Sequence, residues 1–265
     1  MASLQPVTLI TGASSGIGAA LARVFAQNGH TIAITARREA QLGTLADEIA
    51  KAGHARPHVI AADLGAPDGT EKLAQALVAR DLEPAVVVNN AGFGLLGAAA
   101  DLDRSEELAI IDLNARALTD LSLRWIGSVT RHRGGILNVA SVAAFLPGPG
   151  MAVYHATKAY VLSFSEALHK EMAPAGVRVS ALCPGPVRTE FMERAGIPRG
   201  YFPRFLRQSV DQVAREGYDG FMRGKRAIVP GVANKVVTIL PRLLPRGIVL
   251  GMTGWRAGET HRRDR

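Results

Sequence analysis

The sequence predicts an α/β fold with a doubly wound parallel sheet and helices on both faces, and three observations predict it. Short apolar, β-branched runs alternate with longer helical patterns through the first two thirds of the chain. A glycine-rich turn, Gly12 to Gly18, stands directly between the first such run and the first helical pattern. The 265 residues, 48% apolar and 20% charged, suit one domain of ordinary globular composition and argue against disorder.

Taken in order, Val7–Thr11, Thr31–Thr35, Val59–Ala62, Ala85–Val88, Ile136–Val139 and Arg178–Leu182 read as strands. They are nearly all apolar, as strands covered on both faces must be. Between them, a helix over Ile17–Gln27 ends at Asn28-Gly29 and one over Arg38–Ala52 ends at Gly53, glycine supplying the left-handed cap. Longer helices are expected near 104–132 and 153–173, and right-handed crossovers distribute all of them over both faces. After Leu182 the pattern loosens into Cys183-Pro184-Gly185-Pro186 and an aromatic, basic stretch through Phe191, Met192, Tyr201, Phe202 and Phe205. A connection of that length reads as a lid or binding loop. Ser209 with Gln212 resembles a capping box, and Ala227–Val229 a last edge strand. The apolar run Val236–Met252 carries Pro241, Arg242, Pro245 and Arg246, which exclude a simple transmembrane helix. No repeat or low-complexity linker marks a second domain.

The net charge of +8 is unevenly placed: residues 1–193 carry 16 Lys and Arg against 18 Asp and Glu, whereas 194–265 carry 15 against 5. The excess reads either as a solvated Arg-rich end or as a surface that meets something anionic. No nucleic-acid-binding motif accompanies it, so a nucleic-acid partner is not expected. One cysteine closes no intramolecular disulfide, and the first residues lack the basic-then-apolar order of a secretory signal. A cytoplasmic location is the expectation, with peripheral membrane contact through the basic segment as a variant of it.

The glycine turn reads Thr11-Gly12-Ala13-Ser14-Ser15-Gly16-Ile17-Gly18. Gly12 would permit the tight turn, Gly16 close approach of backbone amides to a pyrophosphate, and Gly18 close packing of the helix whose N-terminus faces the phosphates. At the end of the second strand, where dinucleotide folds place an acid on the ribose diol, stand Ala36, Arg37 and Arg38. A carboxylate would repel a 2′-phosphate and a guanidinium would bind it, so NADP(H) is favoured over NAD(H). The lesser alternative is that the two arginines merely open the next helix as solvated residues. Tyr154 and Lys158 lie at i and i+4 on one helix face, where the ammonium would draw the phenol toward working pH as a general acid or base. A packed ring beside a surface charge is the ordinary meaning of such a pair. Ser141 after the fifth strand and Asn89-Asn90-Ala91-Gly92 after the fourth converge on the same crevice, outside the carboxyl ends of the strands.

On these residues the sequence resembles the short-chain dehydrogenase/reductase superfamily, in its single-domain, NADP(H)-preferring branch with a Rossmann-type sheet. The TGxxxGxG motif stands as Gly12, Gly16 and Gly18, NNAG as Asn89 to Gly92, the Asn-Ser-Tyr-Lys tetrad as Asn114, Ser141, Tyr154 and Lys158, and the post-strand PG as Pro184-Gly185. The resemblance covers about residues 7 to 192. It implies an oxidoreductase interconverting a ketone or aldehyde and an alcohol, in which Ser141 polarises the carbonyl, Tyr154 transfers the proton, Lys158 holds the nicotinamide ribose and tunes Tyr154, and Asn114 anchors a relay water. The implied cofactor contacts are Gly12, Ser14, Ser15, Gly16, Ile17 and Gly18; Arg37 and Arg38; Asp63 and Leu64 at the adenine; Asn90, Ala91 and Gly92; Tyr154 and Lys158; and Pro184, Gly185, Val187 and Thr189. Asp63 also suits a helix N-terminal cap. No metal is expected, Cys183 reads as a small buried apolar residue, and His155 is assigned no role.

Phe93, Phe145, Leu146, Met151, Phe191, Met192, Tyr201 and Phe202 flank the catalytic positions and suggest an apolar substrate. Residues 7–192 are thus expected to form the cofactor-binding and catalytic core of a single domain spanning 1–265, and 193–265 the substrate lid and a variable basic segment. The stretch Lys225 to Arg263 suggests an amphipathic element on an anionic membrane surface, and equally an oligomer contact. Relatives commonly form homodimers or homotetramers through the helices that here bear Asn114 and Tyr154. A cofactor-binding sensor without catalysis is the rival from another class; an epimerase or dehydratase would carry a differently spaced glycine motif.

Overall fold

The computed structural model describes residues 4–251 and Thr253. Its strands are β1 (Gln5–Thr11), β2 (Ile32–Ala36), β3 (His58–Ala61), β4 (Leu82–Asn89), β5 (Gly135–Val139), β6 (Arg178–Leu182) and β7 (Ala227–Ile228). All pair in parallel in the order β3-β2-β1-β4-β5-β6-β7, with Leu9 opposite both Ala33 and Val87. The strand order reverses between β1 and β4, and a crevice opens at the carboxyl ends there. Alternation along β1 shows why it is apolar throughout. Ile10 packs with Leu21, Phe25, Ile34 and Phe221 on one face, whereas Leu9 packs with Leu73, Leu77 and Leu121 on the other.

The helices are α1 (Gly16–Gln27), α2 (Glu39–Lys51), α3 (Gly69–Val78), α4 (Arg104–Ile111), α5 (Leu118–Arg124), α6 (Ile126–Arg131), α7 (Ala152–Met172), α8 (Glu190–Arg194), α9 (Val210–Met222) and α10 (Val232–Leu243). The expected strands and the first two helices recur within a few residues of their sequence bounds. The differences have local causes. β4 starts at Leu82, because Glu83 and Pro84 pair with Pro6 and Val7 despite breaking the apolar run, and a register shift follows at Val7/Thr8. The short α3, between β3 and β4, had no counterpart in the reading; it buries Leu73, Ala74 and Leu77 behind a Pro67-Asp68 entry.

The stretch 104–132 is not one helix. A π-helical turn over Asp112–Ala117 separates α4 from α5, and Trp125, at φ −100° and ψ 6°, separates α5 from α6. The extra residue of the π turn rotates Asn114 fully inward. At α9 only half of the capping box forms: Ser209 Oγ accepts from the Gln212 N–H at 3.1 Å, but the Gln212 side chain bonds Glu216 instead. The apolar run 236–252 belongs to α10, which starts earlier and contains Pro241, and to a second helical stretch over 246–251. Met252 and the end of the basic segment, 254–265, lie outside the described residues. Among the described residues no helix is long and apolar enough to cross a membrane.

Candidate functional site

The glycine turn is braced before it binds anything. Thr11 Oγ1 accepts the N–H groups of Asn90 and Ala91 at 2.9 and 3.0 Å, and Asn90 Nδ2 donates to the carbonyls of Thr11 and Gly12. Gly16 has φ +57°, and a Cβ there would lie 3.1 Å from Thr189 Cγ2, so the lid side of the crevice closes down on this glycine. A Cβ on Gly18 would collide with the Gly12 carbonyl and the Asn90 amide; Gly18 therefore serves helix packing and does not line the crevice. Ser15 precedes α1 in extended conformation with no side-chain cap, and no acid stands in the first turn. The first-turn amides of α1 are thus left to a ligand, and Ser15, Gly16 and Ile17 line the crevice beside them.

At the far rim, Arg38 Nη2 meets Ser14 Oγ and Ser15 Oγ at 3.0 and 3.1 Å and Glu190 Oε2 at 2.7 Å. The Arg38 guanidinium, ahead of Ser15, holds the Glu190 carboxyl below the usual carboxylate range. Arg194, four residues along α8, stacks 3.9 Å over the Phe93 ring. Its guanidinium pKa is lowered by burial and by the charge of Arg37, and neither arginine has an ion pair among the described residues. Asp63 Oδ1 accepts the Gly65 N–H at 3.0 Å within a turn, and the residue that caps α3 is Asp68; the capping alternative for Asp63 falls. Asp63 and Leu64 both line the crevice.

The chemical end lies where β5 and α7 meet. Ser141 follows β5 in extended conformation and its Oγ accepts the Ala143 N–H at 3.1 Å, which orients the hydroxyl at the head of a short 3₁₀ turn. Tyr154 packs 5.3 Å, centroid to centroid, from Phe191 of α8 and close over Gly94, where any Cβ would press on its ring. Burial pushes its phenol up to about 12, against a hydrogen bond with Ser141 that lowers it. Lys158 Nζ donates to the Val139 carbonyl at 2.8 Å and stands 5.8 Å from the Tyr154 ring centroid. Burial pushes this ammonium down to about 8. For the phenol, removal from water is the leading influence, ahead of the hydrogen bond with Ser141.

Asn114 stands behind the crevice wall. Its Oδ1 accepts the Phe93 N–H at 3.0 Å and its Nδ2 donates to the Phe93 carbonyl at 2.9 Å and to Thr157 Oγ1 at 3.2 Å. A Cβ on Gly92 would fall 2.8 Å from Asn114 Oδ1 and 3.5 Å from Lys158 Nζ, so the three groups crowd one point. The amide fixes the Gly92-Phe93 backbone from the rear.

One crevice of about 630 Å³ joins the two ends. It is lined by every residue expected to touch cofactor or substrate chemistry, apart from Gly18 and Asn114. Of the expected apolar lining, Phe93, Leu146, Met151, Phe191, Met192 and Phe202 are present; Phe145 faces a neighbouring cavity and Tyr201 packs on Phe202 at its edge. Cys183 is buried with its thiol pushed up to about 12, and His155 Nδ1 bonds the Leu146 carbonyl at 2.8 Å. Glu190, Arg194 and Asn234 are among the lining residues that the sequence pattern did not mark. Glu190 and Arg194, spaced i and i+4, look like an ordinary helix-surface ion pair, yet the fold sends one to Arg38 and the other onto Phe93. Asn234 of α10 lies over Gly185, where its amide would collide with any Cβ, and donates to Gln208 Oε1 at 3.0 Å. No local pattern announces a contact between those positions.

Residues 6–198 match the short chain dehydrogenase family. The chain is 37% identical over 186 residues to serine 3-dehydrogenase of Agrobacterium fabrum, covering 69% of this chain and 72% of that protein. Among solved structures, a short-chain dehydrogenase from Sphingobium yanoikuyae in complex with NADPH superposes with a TM-score of 0.79 at 34% identity, covering 88% of this chain and 90% of that one. The bulky-bulky ketone specific alcohol dehydrogenase of Comamonas testosteroni superposes with a TM-score of 0.74 at 29% identity, over 91% and 94% of the two chains. With the matched stretch covering the sheet through β6, the glycine turn and Ser141, Tyr154 and Lys158, the chain belongs to the short-chain dehydrogenase family, oxidoreductases of CH–OH and C=O groups.

Proposed function

We propose that this chain is an NADP(H)-dependent oxidoreductase that interconverts an apolar ketone or aldehyde and its alcohol. The observation that carries the proposal is the single crevice with Ser141, Tyr154 and Lys158 at one end and Arg37, Arg38 and Arg194 around the other, with Ala36 where a ribose-binding acid would stand. The α1 amides and the bare Gly16 suit a pyrophosphate, and the cationic rim suits a 2′-phosphate. The NADPH complex of the Sphingobium relative supports the same cofactor class. When bound, the nicotinamide supplies hydride exchange with the carbinol carbon. Ser141 Oγ then donates to the carbonyl oxygen and Tyr154 gives it a proton; Lys158 holds the ribose hydroxyls with its positive charge, and Asn114 acts as a positioning residue through Phe93.

The apolar lining supports a hydrophobic substrate, and the ketone named for the Comamonas relative is in keeping with it. Residues 7–192 form the catalytic core in this reading and 193–265 the lid and basic segment. Exposed Leu108, Ile111, Leu123 and Tyr160, on α4, α5 and α7, offer a face for self-association.

The test is titration with NADPH and NADH, followed by NADPH oxidation across a panel of hydrophobic ketones, for wild type and Tyr154→Phe. NADPH preference with turnover that falls about 10²–10⁴-fold in the variant is expected. Tight NADPH binding without turnover on any ketone would favour a cofactor sensor, and NADH preference would overturn the assignment of Arg37 and Arg38.

A further inference from the structure

We propose that the outer face of α10 docks on an anionic lipid surface. Val232 and Leu243 stand 77% and 76% exposed, and Val236 and Ile239 57% and 55%, on one stripe at i, i+4, i+7 and i+11. Ile248 and Leu250 extend the exposed apolar surface beyond the helix. The opposite face is anchored: Asn234 and Thr238 are buried, and Asn234 donates to the Pro230 and Leu206 carbonyls as well as to Gln208. The helix is therefore held in place with its apolar side outward.

Charge identifies the occupant. Between Asp219 and Glu259 the sequence has no acidic residue and seven basic ones, of which exposed Lys235 stands on α10 itself and exposed Arg246 just past its end. Glu216 Oε2 accepts the Gly231 N–H at 3.3 Å at the start of α10, but the stretch that carries the stripe has only cations of its own, which is complementary to anionic headgroups over acyl chains. A second copy is a poorer occupant, because a two-fold contact would set this cationic face against itself. Self-association has another apolar face, on α4, α5 and α7. The geometry also gives the docking a use, which rests on the proposed apolar substrate: Asn234 and Val237 line the active crevice, so a single helix separates it from the lipid.

Co-sedimentation of the full chain with vesicles tests the docking. Pure phosphatidylcholine vesicles are compared with equal mixtures of phosphatidylcholine and phosphatidylglycerol, for wild type, the triple variant Val236→Glu/Ile239→Glu/Leu243→Glu and the pair Lys235→Glu/Arg246→Glu. These side chains are at the surface, so thermal melting should match wild type, and the oligomeric state is followed by analytical ultracentrifugation. Binding to the anionic vesicles alone, reduced at least tenfold in both variants and weakened by salt, is expected. Equal binding to both vesicle types, no binding, or binding unchanged in the triple variant would overturn the proposal. So would a triple variant that dissociates an oligomer when wild type binds no vesicles, since the face would then belong to a second copy. None of these readouts uses turnover, so failure of the docking is distinct from failure of the proposed activity.

Discussion

Tyr154 and Lys158 show burial overriding a sequence pattern at the level of single residues. A phenol pushed up to about 12 is protonated at neutral pH, and an ammonium pushed down to about 8 is the first of the two to lose its proton as pH rises. A protonated phenol is the form that donates to a carbonyl oxygen, whereas alcohol oxidation needs the phenolate. Carbonyl reduction is therefore expected to stay level through neutral pH and to decline above about 8 as Lys158 loses its charge, while oxidation rises with pH. Lys158→Met should lower kcat about 10²-fold and abolish the decline. The check is the pH profile of kcat in both directions; a wild-type reduction rate that climbs through that range would refute the assignment. On the cofactor rim, Arg38→Gln should weaken NADPH binding about tenfold and leave NADH binding unchanged, the loss of one charge-assisted contact at an exposed site. Equal losses for both nucleotides in a fluorescence titration would mean that Arg38 holds the Ser14-Ser15 turn and not the phosphate.

At the level of elements, the strands were legible because burial on both faces leaves a continuous apolar run, and α1 and α2 because each ends at a glycine with positive φ, Gly29 and Gly53. The glycine turn was legible for the same reason: its conformation and close contacts admit few side chains. The break at Asp112–Ala117 was not, since a π turn costs one register step that an amphipathic pattern of this length hides. Nor were Glu190, Arg194 and Asn234, whose partners lie far away in sequence and follow only from how the lid folds back. The π turn is what delivers Asn114 to both backbone groups of Phe93. Asn114→Ala would leave that N–H and carbonyl buried without their partner, at a cost of about 1–3 kcal/mol. For a chain of this size the expected fall in Tm is about 2–4 °C per kcal/mol, with a matching loss of kcat as the Gly92-Phe93 wall loosens. An unchanged Tm in differential scanning calorimetry would contradict the bracing role.

Across the whole molecule, chemistry and one of its polar anchors occupy opposite ends of the same sheet. The crevice lies at the carboxyl end of β4, beside Asn89, whereas Glu83 sits near its amino end. There Glu83 accepts hydrogen bonds from Arg131 at 2.5 Å, His132 at 2.7 Å and Ser128 at 3.2 Å, tying α6 to the strand. Burial alone would raise the Glu83 carboxyl, but His132, Arg131 and Ser128 together hold it below its usual value. A carboxyl whose pKa is lower folded than unfolded stabilises the fold in full above the unfolded value, and that contribution disappears as pH falls through the folded one. Glu83→Gln should therefore cost about 1–3 kcal/mol at neutral pH, and the gap to wild type should narrow as the medium becomes acidic. Urea unfolding of both proteins across that range is the measurement, and a gap independent of pH would show that the cluster contributes by packing and not by charge. Because this cluster touches no crevice residue, the same substitution should leave the pH profile of kcat unchanged, which separates acid unfolding of the sheet from titration at Tyr154 and Lys158.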